Sequence, residues 1–357
     1  MPRISPKPST QGSKFEFEAT FEVYPEIKIP DFTQLKIEKD MSEISESDVD
    51  DTLEAIRKQQ TEWKAVERAS QNGDQVVIDF TGYIDGKPLE RGEGKRFTLE
   101  LGSHSMIPGF EEGIVGSKAG DKFTIHPTFP NDYHATELAA KTVDFEIVVH
   151  QVNEAVLPEL NDAFAKKLNV KEGTLESLRR EIRLNMEREL KHVLKNQTKQ
   201  KVMDAVIDIA EVQLPKALVD AEIHQMQERF TQQLGGKGDI QALVEKGGDL
   251  FEAQASRRVT LGLVISEFIK QEKLTSDPEK VKAHINELAA AYQKPQDVVK
   301  WYYSDNKHLA EIEALVLEDQ VVDKILEKAN ITEKKVLFKD VMQKNHGHVH
   351  DEHCNHA

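Results

Sequence analysis

The stretch Leu101–Gly120, LGSHSMIPGFEEGIVGSKAG, decides how the rest of the chain is read. It reads as a strand end, a short buried helix and a tight return. Pro108 stands where a first helical position tolerates proline, Ile107, Phe110 and Ile114 fall on one helical face, and Gly116 supplies a stop. Such a helix plugs a curved sheet, and both flanks predict one. Upstream, Val76–Tyr83 (VVIDFTGY) is β-branched and aromatic, Asp85-Gly86 is a hairpin-type turn, and Phe97–Leu101 alternates as FTLEL. Downstream, Lys122–His126 and Val143–Val152 give two further runs, the second alternating through Phe145, Ile147 and Val149. The fold class is α+β, an antiparallel half-barrel wrapped on one helix.

Composition narrows the function. The 357 residues suffice for two or three domains. A formal net charge of -16, with 31% charged and 6% aromatic residues, argues against a nucleic-acid binder, because phosphates are repelled. The one cysteine, Cys354, forms no internal disulfide, so the fold needs no oxidising compartment. The start, MPRISPKPST, has no apolar signal region, and the apolar run at Leu261–Ile265 falls far short of a membrane span. A cytoplasmic protein without membrane partners is expected.

Around the half-barrel the pattern changes twice. Residues 1–14, rich in Pro, Ser and Lys, read as a disordered leader. Phe15–Tyr24 alternates strictly and reads as a half-buried strand in need of a sheet; Leu35 and Ile37 mark another strand or strand-like linker. Ser45 and Asp48 form a capping-box pattern opening a helix with Val49, Leu53, Ile56 and Trp63 on one stripe. These pieces make a segment 15–64 ahead of a module at 65–152. After the polar stretch Asn153–Asp162, helical periodicity takes over. Thr174 caps a helix predicted to reach about Glu211, spanning about 55 Å at 1.5 Å per residue, which suits a backbone or an arm. Pro215, the region near Leu250, Pro278, Pro295 and Asn306 open further helices, so 153–345 reads as all-helical. No repeat, phosphate-binding loop or metal motif appears in it.

The residues Asp79-Phe80-Thr81-Gly82, Phe97, Leu101-Gly102, Met106-Ile107-Pro108-Gly109-Phe110-Glu111-Glu112-Gly113 and Phe129-Pro130-x-x-Tyr133-His134 resemble, in order and spacing, an FKBP-type peptidyl-prolyl isomerase domain. The helices and linker on either side resemble the bacterial trigger factor family, from about Phe15 to about Gln343. The resemblance implies an FKBP-like half-barrel followed by an all-helical chaperone domain with long arm helices. It also implies ATP-independent binding of unfolded or nascent polypeptides, joined to cis/trans isomerisation of Xaa-Pro bonds, with no cofactor. That family carries an N-terminal ribosome-docking domain with a Gly-Phe-Arg-x-Gly-Lys-x-Pro signature, which is not found in this sequence. The expectation is therefore a member lacking the ribosome-binding domain, either because the start is an internal methionine of a longer product or because the protein is trimmed, with the sheet partners of Phe15–Tyr24 lying mostly upstream of Met1.

Rotation about an imide bond has a barrier of about 18–20 kcal/mol and needs no covalent catalyst. A dry apolar pocket with one or two donors favours the twisted form, in which charge separation is reduced. The resemblance implies Phe110 as the pocket floor, Phe80, Phe97, Met106, Ile107 and Phe145 as walls, Tyr133 as a hydroxyl donor and the Ile107 N–H as the donor to the substrate carbonyl. Where the family commonly has an aromatic before an acidic residue, this chain has Leu89-Glu90, and the loop after Tyr133 is short. Glu111 and Glu112 are adjacent on a helix and point apart, which counts against an acid/base pair. His126 and His134 have no carboxylate partner at readable spacing. In the helical half most apolar stripes are core, but the resemblance to chaperone arms implies a client surface around Met226 and Phe230, near Leu234 and the Gly235–Gly238 tip.

The last twelve residues, 346–357, hold His346, His348, His350, His353, Cys354 and His356 and read as a disordered tail. These ligands suit zinc, nickel or copper, though with no rigid surroundings to orient them the expected binding is adventitious or a minor regulatory matter. Two alternatives stand beside the main reading: a holdase without turnover, and a SlyD-like metal-handling FKBP, the latter opposed by the short flap.

Overall fold

Alternation carries the sheet. In the computed structural model, which describes residues 3–6, 17–20, 25–133, 135–233, 248–290, 292 and 294–347, the strands are β1 (Arg3–Pro6), β2 (Phe17–Thr20), β3 (Lys36–Met41), β4 (Glu62–Val66), β5 (Gln75–Ile84), β6 (Lys87–Glu100), β7 (Lys122–Ile125), β8 (Asp144–Val156) and β9 (Asn330–Lys335). The α-helices are α1 (Glu46–Gln59), α2 (Asp162–Lys167), α3 (Leu175–Ile209), α4 (Lys216–Gln233), α5 (Gly248–Glu272), α6 (Pro278–Ala289), α7 (Pro295–Ser304), α8 (Asn306–Lys328) and α9 (Phe338–Gly347). The chain divides into two compact units, one of residues 43–190 with 337–357 and the other of residues 1–42 with 191–336.

The first unit holds an antiparallel sheet in the order β4-β8-β5-β6, with β7 also paired to β8. Val76, Ile78, Leu99, Ile147, Val149 and Val152 point into one core, closed by Phe110 and Ile114. The segment expected as a short helix is instead a succession of turns. Phe110 N–H donates to the Ile107 carbonyl and Ile114 N–H to the Glu111 carbonyl, three residues back, while Gly113 and Val115 donate four residues back to Gly109 and Glu111. Three glycines in ten residues explain the mixed bonding, since Gly109 and Gly116 take φ of +88° and +92°, left-handed values that a regular helix does not contain.

In the same unit Ser45 caps α1 as expected: Asp48 N–H donates to Ser45 Oγ at 3.3 Å and Ser45 N–H donates to Asp48 Oδ2 at 2.9 Å. The helix ends at Gln59, and Trp63, expected on its stripe, lies in β4 opposite Ala155 of β8. Pairing to β8 takes the chain out of the helix two residues after the cap. Val49 and Leu53 of α1 bury against Phe164 and Ala165 of α2 and against Leu178, Ile182 and Met186 of α3. Arg179 and Arg183 tie the pair with ion pairs to Asp50 and Glu46.

The second unit gathers Phe32, Leu35 and Ile37 onto Val202, Met203 and Val206 of α3, Val264 and Phe268 of α5 and Val321, Val322 and Ile325 of α8. Helix α3, 35 residues long, begins behind Thr174, whose Oγ1 accepts the Ser177 N–H. The unit is not purely helical: β3 pairs in parallel with β9, Ile37 opposite Ile331. The leader is not wholly unstructured either. Arg3–Pro6 pairs antiparallel with Phe17–Thr20, Arg3 opposite Thr20, so a partner for the alternating segment lies within the chain. A strand's backbone groups need partners, and the nearest stretch of chain supplies them. Among the described residues no helix is long and apolar enough to cross a membrane.

Candidate functional site

Register on β5 sets the aromatic cluster. Phe80 lies opposite Ile147 of β8 and Gly94 of β6, and Gly82 lies opposite Phe145. Both glycines make room for a ring. A Cβ on Gly82 would come within 2.7 Å of Phe145 Cε1, and one on Gly94 would collide with the Phe80 ring. Freed to lie across its neighbours, the half-buried Phe80 meets Phe110 and Phe97 edge-on at 5.6 Å each, and Phe145 at 6.1 Å. Phe110, fully buried, meets Phe145 at 5.1 Å. Edge-to-face rings at this spacing contribute about 0.5–1.5 kcal/mol per pair beyond their buried area. Phe97 remains 39% exposed, so one ring of the cluster borders solvent.

The loop leading from β6 supplies the polar side. Glu111 is buried, and its carboxylate accepts four backbone N–H groups, from Gly102 at 2.8 Å, His104 at 3.1 Å, Ser105 at 2.9 Å and Met106 at 3.1 Å. Burial raises its pKa, and the four donors together outweigh burial, leaving the carboxyl below its ordinary value. Glu112 accepts the Gly109 N–H at 2.9 Å. Both acids are thus occupied in shaping the loop, in keeping with the reading that they form no acid/base pair. Met106 and Ile107 follow, half-buried against the core, and among the described residues nothing accepts the Ile107 N–H. Tyr133, also half-buried, packs on Phe129 with ring centres 4.5 Å apart. Phe80, Phe97, Met106, Ile107, Phe110, Tyr133 and Phe145 are therefore brought to one region of this unit. His126 has a carboxylate partner after all, Asp144 at 2.6 Å, a pairing across strands that sequence spacing conceals.

The arm residues are placed differently. Met226 is buried between α4 and α5 with Val219 and Ala255, and Phe230 is half-buried against Phe251. Met226 is thus packed away rather than presented as a client surface, because α4 and α5 bury this stripe against each other. Leu234 and Gly235–Gly238 lie outside the described residues, as do His134, His348, His350, His353, Cys354 and His356; of His346 only the backbone, in α9, is described. Among the described residues no cluster of three or more His, Cys, Asp or Glu is placed to hold a metal ion. Sequence reasoning missed Gly82, Gly94 and Glu111 as builders of the cluster. Only the polar run GSHSM, which must satisfy its own N–H groups, hinted at an anchor for Glu111 to provide.

A family model described as FKBP-type peptidyl-prolyl cis-trans isomerase matches residues 66–150. One described as bacterial trigger factor C-terminus matches residues 174–327, and one described as bacterial trigger factor protein matches residues 1–56. The trigger factor of Pseudomonas putida is 44% identical over 342 residues, covering 96% of this chain and 78% of that protein. This chain belongs to the trigger factor family. The trigger factors of Ectopseudomonas mendocina (45% identical) and Marinomonas sp. (44%) cover 96% and 97% of the chain and 78% of their own lengths. A solved structure of the trigger factor chaperone superposes with a TM-score of 0.46 at 18% identity, covering 92% of this chain and 78% of that one. The match at residues 1–56 corrects the expectation that the trigger factor N-terminal domain is lacking, since residues up to Ile56 fall within that description. The chain is a protein-folding helper, with a prolyl isomerase domain and a chaperone domain.

Proposed function

We propose that the ring cluster around Phe110 is the site at which Xaa-Pro bonds rotate. The observation that supports this most is Phe80 meeting Phe97, Phe110 and Phe145 edge-on, beside an Ile107 N–H with no acceptor among the described residues. A proline ring held against the half-buried Phe80, Met106, Ile107 and Tyr133, with the fully buried Phe110 behind them, loses water on most sides. Planarity of the imide depends on charge separation that water stabilises, so a dry wall disfavours the planar form more than the twisted one. The Ile107 N–H holds the carbonyl before the rotating bond, and the Tyr133 hydroxyl offers a second donor. No proton moves and no covalent bond forms. Each 1.36 kcal/mol of differential stabilisation is worth about tenfold in rate, so one retained hydrogen bond and one excluded face of water matter.

In this reading the clients are unfolded and nascent polypeptides in the cytoplasm, bound without ATP; residues 1–56 match the family's description but do not contain its ribosome-docking signature, so this chain docks weakly. Phe97→Ala tests the site, because Phe97 is exposed enough for its removal to spare the fold. Turnover of a short Xaa-Pro peptide should fall about tenfold with melting nearly unchanged, and unchanged turnover would refute the assignment. Ribosome cosedimentation of the chain with and without residues 1–24 tests the docking segment.

A further inference from the structure

Gly94 and Phe97 lie three residues apart on β6, yet both face the ring cluster. Gly94 stands opposite Phe80, Phe97 stands opposite Ile78, and the Phe97 ring touches that of Phe80. A regular strand alternates with period two, so residues three apart point to opposite faces. The exception is made by a bulge. Lys95 and Arg96 together oppose the single residue Asp79, and Arg96 sits at φ +48°, a left-handed value unusual for a side-chain-bearing residue. The Arg96 N–H, displaced from the ladder, donates to Asp79 Oδ1 at 2.7 Å.

The other neighbour of β5 is re-phased at the same level. Val77 pairs with Gln151 and Ile78 with Val149, leaving His150 as the extra residue of β8, which is why Val149 and Val152 are both fully buried although three apart. His150 Nε2 lies 2.8 Å from Asp79 Oδ2. One carboxylate on the outer face of the central strand thus holds the displaced residues of both flanking strands. The bulge at Arg96 aims Phe97, and the bulge at His150 sets the phase that carries Phe145.

We infer that Asp79 is a positioning residue of the isomerase site: by clamping the bulges at Arg96 and His150 from behind the sheet, it keeps Phe97 and Phe145 on the face of Phe80 and Phe110. The inference rests on the assignment of that ring cluster as the site. Asp79 touches no substrate and acts only through the rings.

Asp79→Ala and Asp79→Asn in the full chain test this. Asparagine keeps an acceptor for the Arg96 N–H and a group able to pair with His150; alanine keeps neither. In Asp79→Ala the Phe80–Phe97 ring contact, read by NMR as cross-peaks between the two rings, should be lost, and Arg96 amide exchange should accelerate. Turnover should fall about tenfold, as misplacement of a site group does, while Asp79→Asn stays within about twofold. In a Phe97→Ala background, Asp79→Ala should cost much less than in the parent, because most of its effect runs through that ring. Ring contact intact in Asp79→Ala, or asparagine no better than alanine, would overturn the inference. If Asp79→Ala does not fold, Arg96→Gly is added to relieve the left-handed strain; the ring contact must return in the double variant, or the inference fails. Loss and asparagine rescue of the ring contact with turnover unchanged throughout would leave the clamp standing and refute the site assignment.

Discussion

The Glu111 carboxylate accepts the backbone N–H of Met106 at 3.1 Å, so an acidic side chain of the turn segment fixes the loop residue that precedes Ile107. With Gly102, His104 and Ser105 bound to the same carboxylate, one side chain holds the loop that carries the Ile107 N–H.

Glu111→Gln should destabilise the protein by about 1–3 kcal/mol at neutral pH, because an amide offers one acceptor oxygen where the carboxylate offers two. The sign with pH follows from the lowered carboxyl. A folded-state pKa below the unfolded value gives stability that is present above the ordinary glutamate range and lost as pH falls through the folded pKa. The gap between parent and variant, measured by denaturant unfolding, should therefore be widest at neutral pH and shrink in acid. A gap constant with pH would contradict the linkage.

Gly94→Ala places a methyl group in the space of the Phe80 ring. Overpacking of this kind costs about 1–3 kcal/mol, and the ring has to turn away from Phe97 and Phe110. Turnover should fall while aggregation suppression persists, with altered ring chemical shifts for Phe80 as the direct check. Normal turnover and shifts would mean that the ring tolerates the methyl without moving.

The parts legible in the sequence were those with a strong period. β5 and β8 alternate, α3 carries one apolar stripe from Leu178 to Val206, and Ser45 with Asp48 announced its helix. β9 was not legible because NITEKK is exposed at every position; its strand state comes from pairing with β3, nearly three hundred residues away. The turns around Phe110 read as a helix in the sequence because apolar spacing survives in them while three glycines break the regular bonding. The cluster's aromatics could be named from their motif order, but Gly94, Gly82 and Asp79 acquire their meaning only from registers across strands. The burial of Met226 is not legible because an apolar residue on an arm looks the same in sequence whether its partner is a client or a neighbouring helix.

Helix α7 buries none of its residues and exposes Trp301 and Tyr303 by about half. Exposed aromatics on a chaperone domain offer unfolded chains an apolar contact. Trp301→Ala with Tyr303→Ala should weaken suppression of client aggregation without changing turnover of a short Xaa-Pro peptide. Full suppression by the double variant would remove α7 from the client surface.

Phe110 is the most deeply buried ring of the cluster, touching Phe80 and Phe145 edge-on. Phe110→Ala would cost about 3–5 kcal/mol by loss of contacts and cavity formation, which confounds activity with stability. Phe110→Leu keeps most of the volume while removing the ring that holds Phe80 and Phe145 edge-on. It should melt somewhat lower, remain folded at 25 °C, and turn over a short Xaa-Pro peptide about tenfold more slowly, with aggregation suppression retained because that activity lies in the chaperone domain. The comparison that decides is turnover per folded molecule. Parent-level turnover in folded Phe110→Leu would show that the floor of the site lies elsewhere, and equal loss of turnover and suppression would point to general destabilisation.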